Sequence, residues 1–189
     1  MNFLTSWFNR FSCPSRLVEA INTPIIEYVD GDATRPIGIG KKLIIHCCND
    51  IGGWGRGFVL ALNKRDESPK NQYKIWFNSN TPPFRLGEVQ FVPYAEQDIA
   101  DAEQDIVVAN MIGQHGIYKD EDGNPPVRYD AIRKCLKKVR KYSKRNNMSV
   151  HAPKFGSDLA GGKWEIIEKI IEEELTNKGI SVTVYEWKG

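Results

Sequence analysis

Apolar positions in this chain fall into short clusters with two rhythms, and the rhythms alternate from one end to the other. Short runs rich in β-branched residues predict strands at Ile25 to Val29, Leu43 to Cys48, Val89 to Val92, Asp105 to Met111, Ser149 to Pro153 and Ile180 to Trp187. Between them lie stretches with helical spacing. Phe58 to Leu62 restarts an apolar pattern that ends in Asn63-Lys64-Arg65, Asn71 to Asn78 carries Tyr73, Ile75, Trp76 and Phe77, and Asp66 to Lys70 interrupts the two. Tyr129 to Asn146 sets Ile132, Cys135, Leu136, Val139 and Tyr142 among lysines and arginines, the signature of a surface helix with one buried face. From Trp164, Ile167, Ile170, Ile171 and Leu175 share a face, glutamates occupy the positive end, and Asn177-Lys178-Gly179 supplies a stop. Strands alternating with helices favour a three-layer α/β/α domain around a central mixed, mainly parallel sheet.

The first residues depart from that rhythm. MNFLTSWFNRFSCPSR has no long apolar core and no small-residue cleavage site, so it does not read as a signal peptide. Leu4, Trp7, Phe8 and Phe11 follow helical spacing, and residues 1–22 are expected to form a helical segment docked on a single domain spanning 23–189. A chain of 189 residues with 41% hydrophobic content suits one well-buried core.

The stretch that organises the rest is Lys41 to Gly57, KKLIIHCCNDIGGWGRG, an apolar run that stops at Asn49 and opens into glycines 52, 53, 55 and 57. Glycines at a strand-to-helix junction let the backbone approach a ligand, and the N–H groups of a helix start favour negative charge. A phosphate or diphosphate site is one reading. An ordinary tight turn is the other, because neither G-x-G-x-x-G nor the Walker lysine pattern is present.

Charge and cysteine narrow the alternatives. A formal net charge of +2 is too small to mark a nucleic-acid footprint, and no stretch has the apolar length of a membrane span. The four cysteines form no C-x-x-C, and the three histidines lie far apart without metal-ligand spacing. No cofactor, metal or membrane partner is expected, and the chain is expected to act as a monomer in the cytoplasm.

Four pieces then align in order: YVDGDA, HCCNDIGGWGRG, VANMIGQ, and PKFGSDLAGGKW before an EIIEKIIEEEL helix. Together they resemble a macro domain over roughly Ile25 to Trp187, and most closely the branch with the yeast-type ADP-ribose 1″-phosphate phosphatase and many phage-encoded macro domains. The resemblance implies an ADP-ribose cleft at the strand ends. It places Asp32 and Ala33 by the adenine and Asn49 by the distal ribose. Gly53, Trp54, Gly55, Arg56 and Gly57 fall by the phosphates, with Gly156, Ser157, Leu159, Ala160 and Gly161 in a second phosphate-binding loop. Partners so implied are ADP-ribose, ADP-ribose 1″-phosphate and ADP-ribosylated macromolecules.

The second loop departs from the family pattern. Ala160 stands where an aromatic residue usually packs beside the distal ribose, and Asp158 replaces a glycine, which either weakens phosphate binding or supplies acid-base chemistry. The lysine of the glutamate-specific deacylating branch is absent from Met111 to Gln114. Candidate catalytic groups are His46, shared with the yeast-type branch, and the carboxylates of Asp50 and Asp158; each has an equally ordinary role, in a strand or capping a turn. Cys47 and Cys48 lack the arginine-bearing loop of a cysteine phosphatase and read as core. Phosphatase, ADP-ribosyl hydrolase and non-catalytic binder all remain open at this level.

Overall fold

The computed structural model describes residues 24–94 and 105–187. The expected helix within residues 1–22 lies outside the described residues. In chain order the elements are β1 (Ile26–Asp30), β2 (Lys42–Asn49), α1 (Phe58–Asn63), α2 (Ser68–Ser79), β3 (Val89–Tyr94), β4 (Ile106–Gln114), α3 (Tyr129–Asn146), β5 (Ser149–Pro153), α4 (Trp164–Glu174), a turn of 3₁₀ helix (Thr176–Lys178) and β6 (Val182–Glu186).

The strands form one sheet in the order β1-β6-β5-β2-β4-β3, parallel throughout except for the β3–β4 pair. Alternation along β2 shows how the layers are built. Leu43 and Ile45 face α3 and α4, joining Ile132, Leu136, Ile167 and Ile171 in the larger core. Ile44 and Cys48 point the other way, onto Leu62 of α1 and Tyr73 and Trp76 of α2. A strand covered on both faces needs an almost unbroken apolar run, which is what LIIHCC supplies.

Two expectations change. The stretch Asp66 to Lys70, read as an interruption, contains the start of α2: the Ser68 amide donates to Asp66 Oδ1 at 2.7 Å, and Pro69 sits in the first turn, where a missing N–H costs nothing. Gly113, two residues beyond the expected strand end at Met111, lies inside β4. A Cβ there would stand 2.9 Å from Cys47 Sγ and 3.0 Å from Ile132, so glycine lets β4 run on to Gln114 beneath α3.

Candidate functional site

Because β1, β6, β5 and β2 are parallel neighbours, the chain leaves all four at the same edge of the sheet. There the turn after β1 and the glycine-rich loops after β2 and β5 converge, the place where open parallel sheets hold ligands. They enclose a cleft in two connected halves. The half beside β2 has a volume of about 580 Å³ and the half beside β6 about 1070 Å³. Gly57, Phe58, Pro153, Lys154 and Asp158 border both.

The loop after β2 is shaped by one side chain. Asn49 Oδ1 accepts from the amides of Gly53 at 2.8 Å and Ile51 at 3.2 Å, while its Nδ2 donates to Gly53 O at 2.8 Å. Tyr73 donates its hydroxyl to Asn49 O at 2.7 Å, and Lys74 Nζ reaches Gly52 O at 2.5 Å. Gly52 adopts φ 72° against the Phe77 ring, 2.6 Å from where a Cβ would be. The helix that follows is only six residues long, so its dipole is small and the loop N–H groups carry most of any attraction for an anion.

The loop after β5 is held by backbone. Gly162 N donates to Gly156 O and Gly161 N to Asp158 O, both at 2.9 Å, and Val127 N donates to Ala160 O at 3.1 Å. Leu159 stays 57% exposed and comes within 3.3 Å of a Cβ placed on Gly57, so the two loops meet across the cleft.

The three candidate catalytic groups occupy different environments. His46 borders the β2 half but is only 2% exposed, lying under Trp54 and Phe58 with Nε2 2.7 Å from Asn110 Oδ1. Burial pushes its pKa down to about 4, outweighing the Asn110 hydrogen bond, so the ring is neutral near pH 7. Asp50 lines neither half: His115 Nδ1 donates to its Oδ2 at 2.7 Å and the Gly116 amide to its Oδ1 at 2.8 Å. Asp158 is exposed, borders both halves, and its carboxylate has no partner among the described residues. Burial drives the Cys47 thiol up to about 12 and the Cys48 thiol well above its ordinary value, leaving both protonated and unsuited to nucleophilic attack.

Asp32 and Ala33 border the β6 half with Ser157, whereas Asn49, Gly53, Trp54, Gly55, Arg56, Gly156, Leu159 and Ala160 border the β2 half. Gly161 lines neither and packs against Pro125. Asp32 accepts from the Thr34 amide and hydroxyl through Oδ1 and from Arg65 through Oδ2. Burial pulls its pKa upward, but those hydrogen bonds together hold the carboxyl below its ordinary value.

Sequence reasoning missed Lys64 and Arg65 at the end of α1, Tyr185 and Trp187 at the end of β6, Gln114 at the end of β4, and Ile117 and Tyr118 after it. An aromatic set in the polar stretch HGIYKDEDG, as Tyr118 is, was the available signal. Among the described residues no His, Cys, Asp and Glu cluster is arranged to hold a metal ion, and no helix is long and apolar enough to cross a membrane.

No family model matches the chain. It is 31% identical over 170 residues to mouse chromodomain-helicase-DNA-binding protein 1-like, covering 88% of this chain but only 18% of that protein's length. It is 24% identical over 174 residues to the ADP-ribose 1″-phosphate phosphatase of Candida albicans, with 79% of this chain and 93% of that protein covered. Among solved structures, a Bacteroides thetaiotaomicron protein of unknown function is 54% identical, with a TM-score of 0.79 over 87% of this chain and 99% of that one. A macrodomain protein from Streptomyces coelicolor is 44% identical, with a TM-score of 0.70 over 85% of this chain and 98% of that one. With that identity over nearly the whole of a macrodomain, and a mainly parallel sheet that brings two glycine loops to one cleft, this chain belongs to the macrodomain family.

Proposed function

We propose that this macrodomain binds ADP-ribose along the cleft and removes the terminal phosphate from ADP-ribose 1″-phosphate. The observation that carries the reading is the meeting of the two glycine loops at Gly57 and Leu159, between a larger and a smaller half of one cleft. Adenosine suits the larger half, where Asp32 accepts from the exocyclic amine; a carboxylate offers about four acceptor sites, so Thr34 and Arg65 leave room. The diphosphate lies at the junction and the terminal ribose in the β2 half, where Arg56, with no ion-pair partner among the described residues, faces the terminal phosphate.

Asp158 is the group we assign to proton transfer. It takes a proton from water as the water oxygen attacks phosphorus and the P–O1″ bond breaks, and it returns that proton to the sugar oxygen, giving inorganic phosphate and ADP-ribose. The Candida relative supports this reaction by its name. Burial of His46 and the engagement of both Asp50 oxygens favour a second reading, a binder without turnover.

Purified protein incubated with ADP-ribose 1″-phosphate, and separately with ADP-ribosylated protein, distinguishes the readings. Phosphate is expected from the first substrate, with a loss of about 10²- to 10⁴-fold in turnover for Asp158→Asn and ADP-ribose affinity retained. Tight ADP-ribose binding without phosphate release would leave the binder, and release of ADP-ribose from protein would replace the phosphatase by a hydrolase.

A further inference from the structure

The outer wall of the β2 half is a short stretch of chain with few attachments of its own. Ile117 and Tyr118 border the cleft there, 44% and 79% exposed, and neither makes a hydrogen bond or ring contact with the described residues. What anchors them lies just before them. Asp50 accepts from the His115 ring and the Gly116 amide, its own amide donates to Gln114 O at 3.0 Å, and Gln114 Nε2 donates to Gly116 O at 2.9 Å. Gly116 takes φ 60°, a left-handed turn that redirects the chain toward the cleft. On the far side the Asp120 turn closes on Asn124 and Arg128. The stretch 117–119 is thus a span held at both ends, and on the cleft side the holding group is a carboxylate whose side chain is only 16% exposed.

From this geometry we infer that Tyr118 covers the terminal-ribose end of the ligand and that Asp50 is the positioning residue that sets where Tyr118 stands. The inference rests on the ADP-ribose reading above. Tyr118 offers a large amphipathic ring at low conformational cost, with a face for the sugar and a hydroxyl for solvent or the terminal phosphate. Ala160 borders the same half, but its methyl group is buried in the larger core and cannot cover a ribose. Trp54 and Phe58, which border the same half, pack on the His46 ring, so the exposed ring left to cover the sugar is Tyr118, in the β4–α3 connection. Asp50 acts through the loop and touches no ligand atom.

Calorimetry with ADP-ribose and with ADP, which lacks the terminal ribose, tests this. Tyr118→Ala should weaken ADP-ribose about tenfold and leave ADP within about twofold, and Tyr118→Phe should stay near wild type. Asp50→Ala should reproduce the selective loss, and Asp50→Asn, which keeps an acceptor for the Gly116 amide, should recover most of it. In Asp50→Ala/Tyr118→Ala the loss should be no larger than in Tyr118→Ala alone, because one residue works through the other. Unchanged ADP-ribose affinity in Tyr118→Ala, an equal loss for ADP and ADP-ribose in Asp50→Ala, or additive losses in the double variant would each overturn the inference while leaving the cleft assignment standing. If the wild type binds neither nucleotide, the cleft reading and this inference fall together.

Discussion

The two glycine loops face each other across one cleft, yet they are built by opposite means. The loop after β2 is held by side chains: Asn49 spans it, Tyr73 and Lys74 brace it from α2, and the Phe77 ring fills the space beside Gly52. The loop after β5 is held by backbone: the Gly161 and Gly162 amides donate to the carbonyls of Asp158 and Gly156, with Val127 as the outside donor to Ala160 O. The first arrangement spends its polar side chains and its early amides on shape and leaves the N–H groups of residues 54–57 for a ligand. The second frees Asp158 and Leu159 to stand in the cleft, beside Lys154 and Ser157.

The contrast breaks most sharply at Gly162. A Cβ there would lie 2.4 Å from the Gly156 carbonyl oxygen, a backbone atom that cannot step aside, so Gly162→Ala should cost about 3 kcal/mol or more in denaturant melts. Gly55 is the counterpart in the first loop: nothing lies within 4 Å of an added Cβ, and φ needs no glycine. Gly55→Glu should therefore fold normally and still lose at least about 100-fold in ADP-ribose affinity, through bulk and charge at the loop junction; equal affinity in calorimetry would remove the junction as the diphosphate site.

Smaller effects sharpen the comparison. Asn49→Ala removes the brace of the first loop, and about 1 to 3 kcal/mol of stability should go with it. The matching truncation in the second loop, Leu159→Ala, should change stability by about 0.5 kcal/mol or less, since that side chain is mostly in solvent. Similar melts for the two would contradict the side-chain and backbone distinction.

Acid provides the finest probe. The first loop rests on His46, whose pKa is lowered to about 4 by burial, while the second rests on apolar Ile167, Ile132 and Val127. An unfolded histidine binds its proton at about pH 6.5, so below that pH the unfolded state gains protons that folded His46 refuses until about pH 4. Stability should fall as pH drops through this window, with His151, also lowered to about 4 by burial and by Lys42, adding to the slope. His46→Gln should flatten the slope by up to about 1.4 kcal/mol per pH unit; an unchanged slope would mean that His46 titrates normally.

Periodicity and punctuation carried much of the fold. The α3 helix and strand β5 lie where their apolar spacing puts them, Tyr129–Asn146 and Ser149–Pro153, because amphipathic spacing and turn residues act over a few residues and do not wait for the rest of the molecule. Three of the four motif blocks likewise fall on turns and loops that line the cleft, since a glycine loop after a strand is a local event, while the connection after β4 carries no such mark.

Tertiary structure decided what the side chains in those loops can do. His46 and Asp158 both read as polar residues near a ligand, but His46 is sealed by Trp54 and Phe58 from one side of the sheet and by Asn110, 64 residues on, from its own strand layer. Asp50 reads as an available carboxylate until β4, its neighbour in the sheet, delivers His115 and Gly116 to both its oxygens. The physical reason is the same in each case. Whether a polar group is free depends on burial and on partners set by strand order, and strand order is a property of the whole sheet that no local stretch of residues contains.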